Sequence, residues 1–294
     1  MEQKNDPRAL GMVLLSMALF GTIGLFRRLI DLPSGMIALV RAVIGTVFLL
    51  LLLRARGRKL DRAAMRGNWV RVIFSGALLG MNWILLFEAY RFTSVAVATL
   101  CYYMAPIMVV LVSPLLFHER LSARRLGFVA LAVAGMLLVS GALSSRIEGS
   151  KGILLGLAAA LVYASIVLAN KTIRGVPGLD KTLVQLAASA AVLIPYVLLA
   201  EPVAAAAFTT RTVVLLLIVG VVHTGVCYAL YFSAMDHLRA QSIALASYID
   251  PVVAVLCSAV FLQERMTPLQ WIGAVLVIAA TMAGELLPEK RTET

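Results

Sequence analysis

The sequence is poor in charged residues. Only 14% of its 294 residues are charged, and none lies between Leu126 and Ser145 or between Thr212 and Met235. Globular chains carry about 25% charged residues, so the depletion excludes a soluble enzyme. Apolar runs of about 20 residues are what a helix needs to cross a bilayer. The same continuous runs exclude an outer-membrane barrel, whose strands alternate over about 10 residues.

Cysteines and cofactor motifs are also scarce. Cys101, Cys227 and Cys257 all fall inside apolar runs, without CxxC or Cys/His ligand spacing. A disulfide framework or a zinc site is therefore not expected. The chain carries no nucleotide-binding glycine loop with its lysine, so ATP-driven transport is not expected either. We predict no cofactor and no bound metal.

What the sequence has in abundance is long apolar segments joined by short connections. The longest connection, 54–71, is too basic and too brief to form a separate domain. The pattern predicts an all-α membrane protein with ten transmembrane helices. The ten segments lie at about 9–26, 33–53, 72–90, 95–117, 126–145, 152–170, 183–200, 212–235, 241–262 and 268–287.

The basic residues lie between the spans, which argues against a nucleic-acid partner despite the net charge of +11. Connections on one side of the membrane carry 18 of the 26 Lys and Arg residues, those on the other side carry 7, and Arg41 lies within a span. The positive-inside rule therefore places both termini and the 54–71 loop in the cytoplasm. We expect a multi-pass protein of the cytoplasmic (inner) membrane.

The second half of the chain repeats the first. At a shift of 145 residues, polar, aromatic and proline positions coincide without gaps, which shared apolar composition does not explain. The repeat unit has five helices, and an odd number forces the second copy to cross the membrane in the opposite sense. Such inverted-topology repeats, here 1–146 and 147–294, are typical of secondary transporters. The matched pairs include Gly80 with Gly225, Phe87 with Phe232, Tyr103 with Tyr248, Pro106 with Pro251, Ser113 with Ser258, and Glu119 with Glu264.

Short motifs recur in both halves. The first helix of each repeat carries an aromatic residue followed by two small ones, Phe20-Gly21-Thr22 and Tyr163-Ala164-Ser165, and each fourth helix ends in Glu-Arg. In these features the chain resembles the drug/metabolite transporter superfamily, and within it the ten-helix EamA-type permeases. The resemblance implies transport rather than an enzyme, with amino acids, cations, nucleosides or other metabolites as cargo. Arg41 matches an arginine typical of the family's second helix, whereas the seventh helix has Gln185.

Asp250 is the leading functional candidate, because a carboxyl group deep in a membrane span is costly unless it faces water or a partner. It precedes Pro251, whose missing N–H leaves a carbonyl oxygen unpaired. We expect Asp250 to bind the substrate or to carry a coupled proton. The alternative is a structural pair with Arg41 or His223.

Two further charged or titratable side chains lie inside spans. His223 has the unperturbed pKa of about 6.5 that suits proton coupling, and a neutral hydrogen-bonding role is an equal alternative. Arg41 is favoured as a structural partner for an acid or a helix C-terminus, with a substrate carboxylate as the alternative. Glu264, at the end of its helix, is expected to make structural contacts with basic residues such as Arg265.

Aromatic residues are expected to complete a central cavity. Tyr102 and Tyr103 occupy the positions that match Ser247 and Tyr248, so the two pairs would line one cavity from both sides, with ordinary packing as the alternative. A tyrosine ring offers a hydroxyl group and a cation–π face. Together with Asp250 this set favours an amine-bearing substrate. Weaker candidates for the cavity wall are Asn82, Trp83 and Tyr163.

The sequence thus predicts a secondary transporter that exports a small organic metabolite such as an amino acid or amine. Its expected partners are that substrate, coupled protons and the lipid bilayer, and its oligomeric state is left open. An intramembrane transferase is the first alternative, although it needs an acid/base cluster near an interface. A passive channel is the second, although no charged ring or filter-like segment is present.

Overall fold

The described residues of the first half of the chain form seven helices. In the computed structural model the described residues are 6–105, 107–109, 123–139, 149–201, 208–235, 237–238, 246–247 and 249–286. Predictions made on Pro106, Ser113, Glu119 and Tyr248 therefore lie outside the described residues. The helices of this half are α1 Pro7–Gly21, α2 Ile23–Leu29, α3 Ser34–Ala55, α4 Arg62–Met65, α5 Trp69–Phe92, α6 Val95–Tyr102 and α7 Ala123–Val139.

In the second half, the described residues form six α-helices and one π-helical segment. All regular secondary structure within the described residues is helical. The elements are α8 Ser150–Lys171, α9 Gly178–Ala200, α10 Thr210–Leu217, the π-helical segment Ile218–Val226, α11 Cys227–Met235, α12 Ile249–Phe261 and α13 Pro268–Leu286.

Six helical stretches are long and apolar enough to cross a membrane, and shorter apolar helices accompany them. The chain is therefore a multi-pass membrane protein. Such helices satisfy every backbone hydrogen bond internally, which hydrocarbon requires. The six stretches are Pro7–Leu29, Ser34–Ala55, Trp69–Phe92, Ser150–Asn170, Gly178–Ala200 and Thr210–Ala234.

Three local features differ from the regular helices that the apolar pattern predicts. The first span is interrupted at Thr22, whose backbone N–H bonds Leu19 O and separates α1 from α2. The seventh begins at Gly178, ahead of the charged pair Asp180–Lys181, because Pro177 can start a helix without an N–H donor. The eighth contains the π-helical segment, which takes one extra residue into a turn.

Helix packing brings the centres of several spans together. α5 packs against α8 and α9, and α9 also packs against α3. The rod formed by α10, the π-helical segment and α11 packs against α1 and α3. α12 contacts both α1 and α6, while α7 and α13 pack against each other. The π-helical segment itself packs against α3 and also contacts α1 and α2.

One end of this bundle is tied by an ion pair. Glu264 contacts Arg28 at 3.0 Å, rather than its sequence neighbour Arg265, and also accepts a hydrogen bond from the Val95 N–H at 2.8 Å. Arg28 additionally donates to Thr93 O at 2.7 Å. The expected contact with Arg265 is wrong, because Glu264 lies over the N-terminus of α6. There its carboxylate accepts from the Val95 N–H, while the N-cap Ser94 accepts from the Val97 N–H.

Candidate functional site

Arg41 lies in the middle of α3, buried against aromatic rings. Its side chain is only 4% exposed, and its guanidinium carbon lies 3.9 Å from the centre of the Trp83 ring and 5.5 Å from that of Phe87. Trp83 and Phe87 stand one turn apart on α5 and so present one face. The electron-rich faces of these rings stabilise the buried cation.

Few hydrogen bonds hold the Arg41 guanidinium. Its Nε donates to Thr224 Oγ1 at 3.2 Å. Within the described part of the chain, Nη1 and Nη2 have no acceptor, yet neither is among the fully enclosed unpaired atoms. Both atoms therefore keep accessible surface inside the bundle. A planar fork of free N–H donors is the group that binds a carboxylate with two parallel hydrogen bonds.

His223 lies in the π-helical segment with 1% exposure, close to the interruption of the first span. Its Nε2 is 2.8 Å from Thr22 Oγ1, and its Nδ1 is 3.5 Å from Ile218 O. The ring also meets Phe26 edge-on, with centroids 4.8 Å apart. The Thr22 hydroxyl donates its proton to Leu19 O at 2.8 Å, so Nε2 of His223 carries the hydrogen and donates to Thr22 Oγ1.

Asp250 lies in the first described turn of α12, with tyrosine hydroxyl groups around it. Its carboxyl group lies within electrostatic range of the Tyr103 hydroxyl, which donates to Ser247 O at 3.2 Å. The end of α6 thus meets the segment that leads into α12. Asp250 forms no ion pair with Arg41 or His223, all three being described residues. The structural pairing considered as an alternative is absent.

Two of the weaker candidates, Asn82 and Tyr163, contact Tyr102. Asn82 is fully buried in α5, where its Nδ2 donates to Ala159 O at 2.7 Å and its Oδ1 accepts from the Tyr102 hydroxyl at 3.3 Å. The Tyr163 ring lies 5.4 Å from that of Tyr102. The amide of Asn82 fixes the orientation of Tyr102, so the tyrosine ring is held in place.

The cation and the acid share one set of neighbours. Arg41 and Asp250 both lie within electrostatic range of Tyr90, Tyr102 and Cys227. The two charged groups therefore lie near one central region, defined by these three side chains, without forming an ion pair with each other.

A close helix crossing fixes the position of Asp250. A Cβ atom on Gly21 would come within 2.5 Å of the Asp250 carbonyl oxygen and 2.7 Å of Val253 Cβ. A residue larger than glycine would therefore push α1 away from α12. This contact gives the aromatic-small motif of the first span a structural reason.

The family model described as "EamA-like transporter family" matches the chain twice, over residues 7–141 and 150–283. The chain belongs to the EamA-like transporter family. This membership identifies it as a transporter of the drug/metabolite transporter superfamily and not as an enzyme. The resemblance read from the motifs is confirmed.

Similar proteins carry transporter names. "Uncharacterized transporter YxxF" of Bacillus subtilis (strain 168) is 29% identical over 280 residues, covering 94% of this chain and 89% of its own. A "Probable amino-acid metabolite efflux pump" of Escherichia coli (strain K12) is 28% identical over 172 residues, covering 55% of this chain and 58% of its own. A solved crystal structure superposes with a TM-score of 0.67 at 22% identity, covering 95% of this chain and 98% of that one, and shares the fold.

Sequence reasoning did not identify three members of the central region. Phe87 was not predicted as a site residue because apolar residues are common throughout a membrane span. Its spacing of four residues from Trp83 nevertheless places both rings on one helix face. Tyr90 lies buried with its hydroxyl 3.3 Å from Thr99 Oγ1. Thr22, the partner of His223, was noticed only as part of a motif. Among the described residues no group of three or more His, Cys, Asp or Glu side chains is placed to hold a metal.

Proposed function

We propose that this chain is a secondary active carrier that exports a small metabolite bearing an amine and a carboxylate, such as an amino acid. The separated charges of Arg41 and Asp250 carry the proposal. The free Nη1 and Nη2 donors of Arg41 receive the substrate carboxylate. Asp250 and the tyrosine faces receive the ammonium group. The efflux-pump name of the Escherichia coli relative supports the same substrate class.

Alternating access follows from two inverted five-helix halves, 1–146 and 147–294, which together give ten transmembrane helices. The packing supports this division, because each contact between the halves has a counterpart under exchange of the halves. The packing of α5 against α8 and α9 in one direction corresponds to the packing of the eighth span against α1 and α3 in the other. The contact of α6 with α8 corresponds to the contact of α12 with α1. Three further contacts join equivalent helices of the two halves and are unchanged by the exchange: α3–α9, α6–α12 and α7–α13.

Close glycine contacts support the same exchange. A Cβ on Gly76 would lie 2.8 Å from Ala188 Cβ, and one on Gly220 would lie 2.6 Å from Ile44 Cβ. Gly76 and Gly220 are separated by 144 residues, and so are Ile44 and Ala188. Gly80 and Gly225, by contrast, are separated by 145 residues. The π-helical segment accounts for the extra residue, since a π-turn inserts one residue into a helix. The insertion lies beside His223.

The coupling ion in this proposal is the proton. A carboxyl group that faces a central cavity can be loaded with a proton from one side and unloaded to the other as the halves rock. Asp250 is the proposed carrier, since the Tyr103 hydroxyl, which donates to Ser247 O, keeps lone pairs that can accept from the protonated carboxyl group. His223 is the second candidate, and its bond to Thr22 joins the two irregular spans.

Orientation is tested by single cysteines at Lys59 and Ser150, which lie on opposite sides in the proposed topology. Both termini and the 54–71 loop are placed in the cytoplasm of a cell whose inner membrane holds the carrier. An impermeant thiol reagent added to intact cells is expected to label position 150 and not position 59. The reverse labelling would show that the topology is opposite to the proposed one, so that the proposed exit side is the entry side.

Counterflow tests the carrier mechanism. Proteoliposomes preloaded with unlabelled amino acid are expected to accumulate labelled amino acid transiently, because a carrier returns faster when loaded. The amide and the N-acetyl derivative of the same amino acid serve as matched probes that lack the carboxylate or the amine. Equilibration without an overshoot would indicate a channel, and equal handling of all three compounds would reject the two-charge site.

A further inference from the structure

We propose that a second site, remote from Arg41 and Asp250, binds a phosphate group at the basic end of the bundle. The site, here called the basic-face cavity, has a volume of about 410 Å³ and lies where α3 ends, α9 begins and α11 ends. Its polar wall consists of Arg56, Arg58 and Ser233, and its apolar wall includes Leu179 and Phe232. The chemistry of the site fits a phosphodiester.

The two arginines of the basic-face cavity have unused donors. Both Nη atoms of Arg56 reach Ser233 Oγ only at 3.4 Å. The nearest carboxylate oxygen to Arg58 is Asp180 Oδ1 at 4.0 Å, beyond hydrogen-bond distance. Each guanidinium thus keeps donors for an oxyanion, and Ser233, as an acceptor of Arg56, keeps its own proton to donate.

The charge balance of the site selects a singly charged ligand. Asp180 is fully buried behind Arg58, its Oδ2 accepts from the Asp61 N–H at 3.0 Å, and its Oδ1 has no hydrogen-bond partner among the described residues. Its carboxylate offsets one of the two guanidinium charges. A phosphodiester carries a single negative charge and completes this balance. The first N–H groups of α9, left without a side-chain cap at Pro177, add to the positive potential.

The position of the cavity favours a phospholipid as the source of that phosphate. Three spanning helices end around it, so it lies at the level of the lipid head groups. Basic pockets between transmembrane helices on the cytoplasmic side are a recurring site for anionic head groups. The Phe232 and Leu179 wall offers an apolar surface to the glycerol and upper acyl chain. A soluble phosphate compound has the same anion without that apolar part.

The test uses the full chain in nanodiscs of phosphatidylcholine, into which phosphatidylglycerol is titrated, with inorganic phosphate added in a separate arm. Native mass spectrometry counts retained lipids, and a thermal melt reports stabilisation. Arg56→Gln/Arg58→Gln is compared with Arg62→Gln/Arg66→Gln, which removes the same charge from exposed positions of the same loop. Ser233→Ala probes the hydroxyl group alone.

One tightly retained phosphatidylglycerol per chain is expected in the wild type. Arg56→Gln/Arg58→Gln should weaken its binding about tenfold or more, Ser233→Ala about threefold, and the control pair less than about twofold. Equal stabilisation by inorganic phosphate, lost in the same variant, would assign the site to a soluble phosphate compound. Equal losses in both double variants, or no preference for phosphatidylglycerol over phosphatidylcholine, would overturn the proposal.

Discussion

Arg41 in α3 and Gln185 in α9 occupy matching positions of the two proposed halves, and their surroundings differ. Both are buried, at 4% and 6% exposure. The Gln185 amide uses both N–H donors, to Ser75 Oγ at 2.7 Å and to Asn170 Oδ1 at 3.0 Å. The Arg41 guanidinium makes one hydrogen bond, to Thr224, and otherwise lies on aromatic rings.

Among the described residues, the difference is between a fully paired amide at Gln185 and a cation with unused N–H donors at Arg41. A buried donor that is fully paired contributes to stability and has nothing left for a ligand. A buried cation stabilised by ring faces keeps its N–H donors free. The proposed exchange of halves therefore places Arg41 and Gln185 at matching positions, although their side chains have different surroundings. In the proposed function the substrate carboxylate binds Arg41 of the first half, and the substrate amine binds Asp250 of the second half.

The largest expected effect on transport in this comparison comes from Arg41→Gln, which places the second half's residue in the first. Removing one partner of a buried charge contact costs about 2–5 kcal/mol, so export of the carboxylate-bearing substrate should fall about 100-fold or more. The melting temperature should stay within a few degrees. Initial rates in proteoliposomes measure the loss of export, and a thermal melt measures the melting temperature. Wild-type rates would show that Arg41 does not bind the carboxylate.

Trp83→Leu should have an intermediate effect. The substitution removes the ring 3.9 Å from the Arg41 guanidinium carbon while keeping an apolar side chain. A desolvated cation–π contact contributes about 1–2 kcal/mol, so KM should rise about tenfold as Arg41 loses its orientation. Trp83→Phe retains a ring face and serves as the matched control, with a smaller rise. If the two variants have the same KM, the ring does not position Arg41.

Gln185→Met should leave transport nearly unchanged and act on the fold. The methionine matches the glutamine in length but cannot donate to Ser75 and Asn170. Losing these buried hydrogen bonds should lower the free energy of unfolding by about 1–3 kcal/mol. KM should change less than about twofold, since this amide faces no ligand. A large change in KM at wild-type stability would reverse the roles assigned to the two positions.

Much of the fold and some of the candidate site could be predicted from the sequence, because both depend on local patterns. Apolar length locates the spanning helices, and the rarity of charge inside them points to Asp250 and Arg41. Pairing in space is not a local property. The Glu264–Arg28 ion pair joins residues far apart in the chain, so sequence proximity pointed to Arg265 instead.

The two irregular backbone segments also could not be predicted from the apolar pattern of the sequence. The interruption at Thr22 and the π-helical segment around His223 lie inside continuous apolar runs, where composition gives no signal. Both are stabilised by tertiary contact, with Thr22 Oγ1 2.8 Å from His223 Nε2. A shift from 144 to 145 residues between matching glycines was the one sequence sign of the insertion.

The central claim is that Asp250 carries the charge on which transport depends. Its most direct test is accumulation of labelled amino acid in proteoliposomes driven by a pH gradient. Wild-type protein and Asp31→Asn, which removes an exposed acid from the loop between α2 and α3, should accumulate substrate equally. Asp250→Asn, which keeps the shape and removes the charge, should insert and fold but accumulate none. Accumulation by Asp250→Asn at the wild-type rate and with the wild-type pH dependence would contradict the claim.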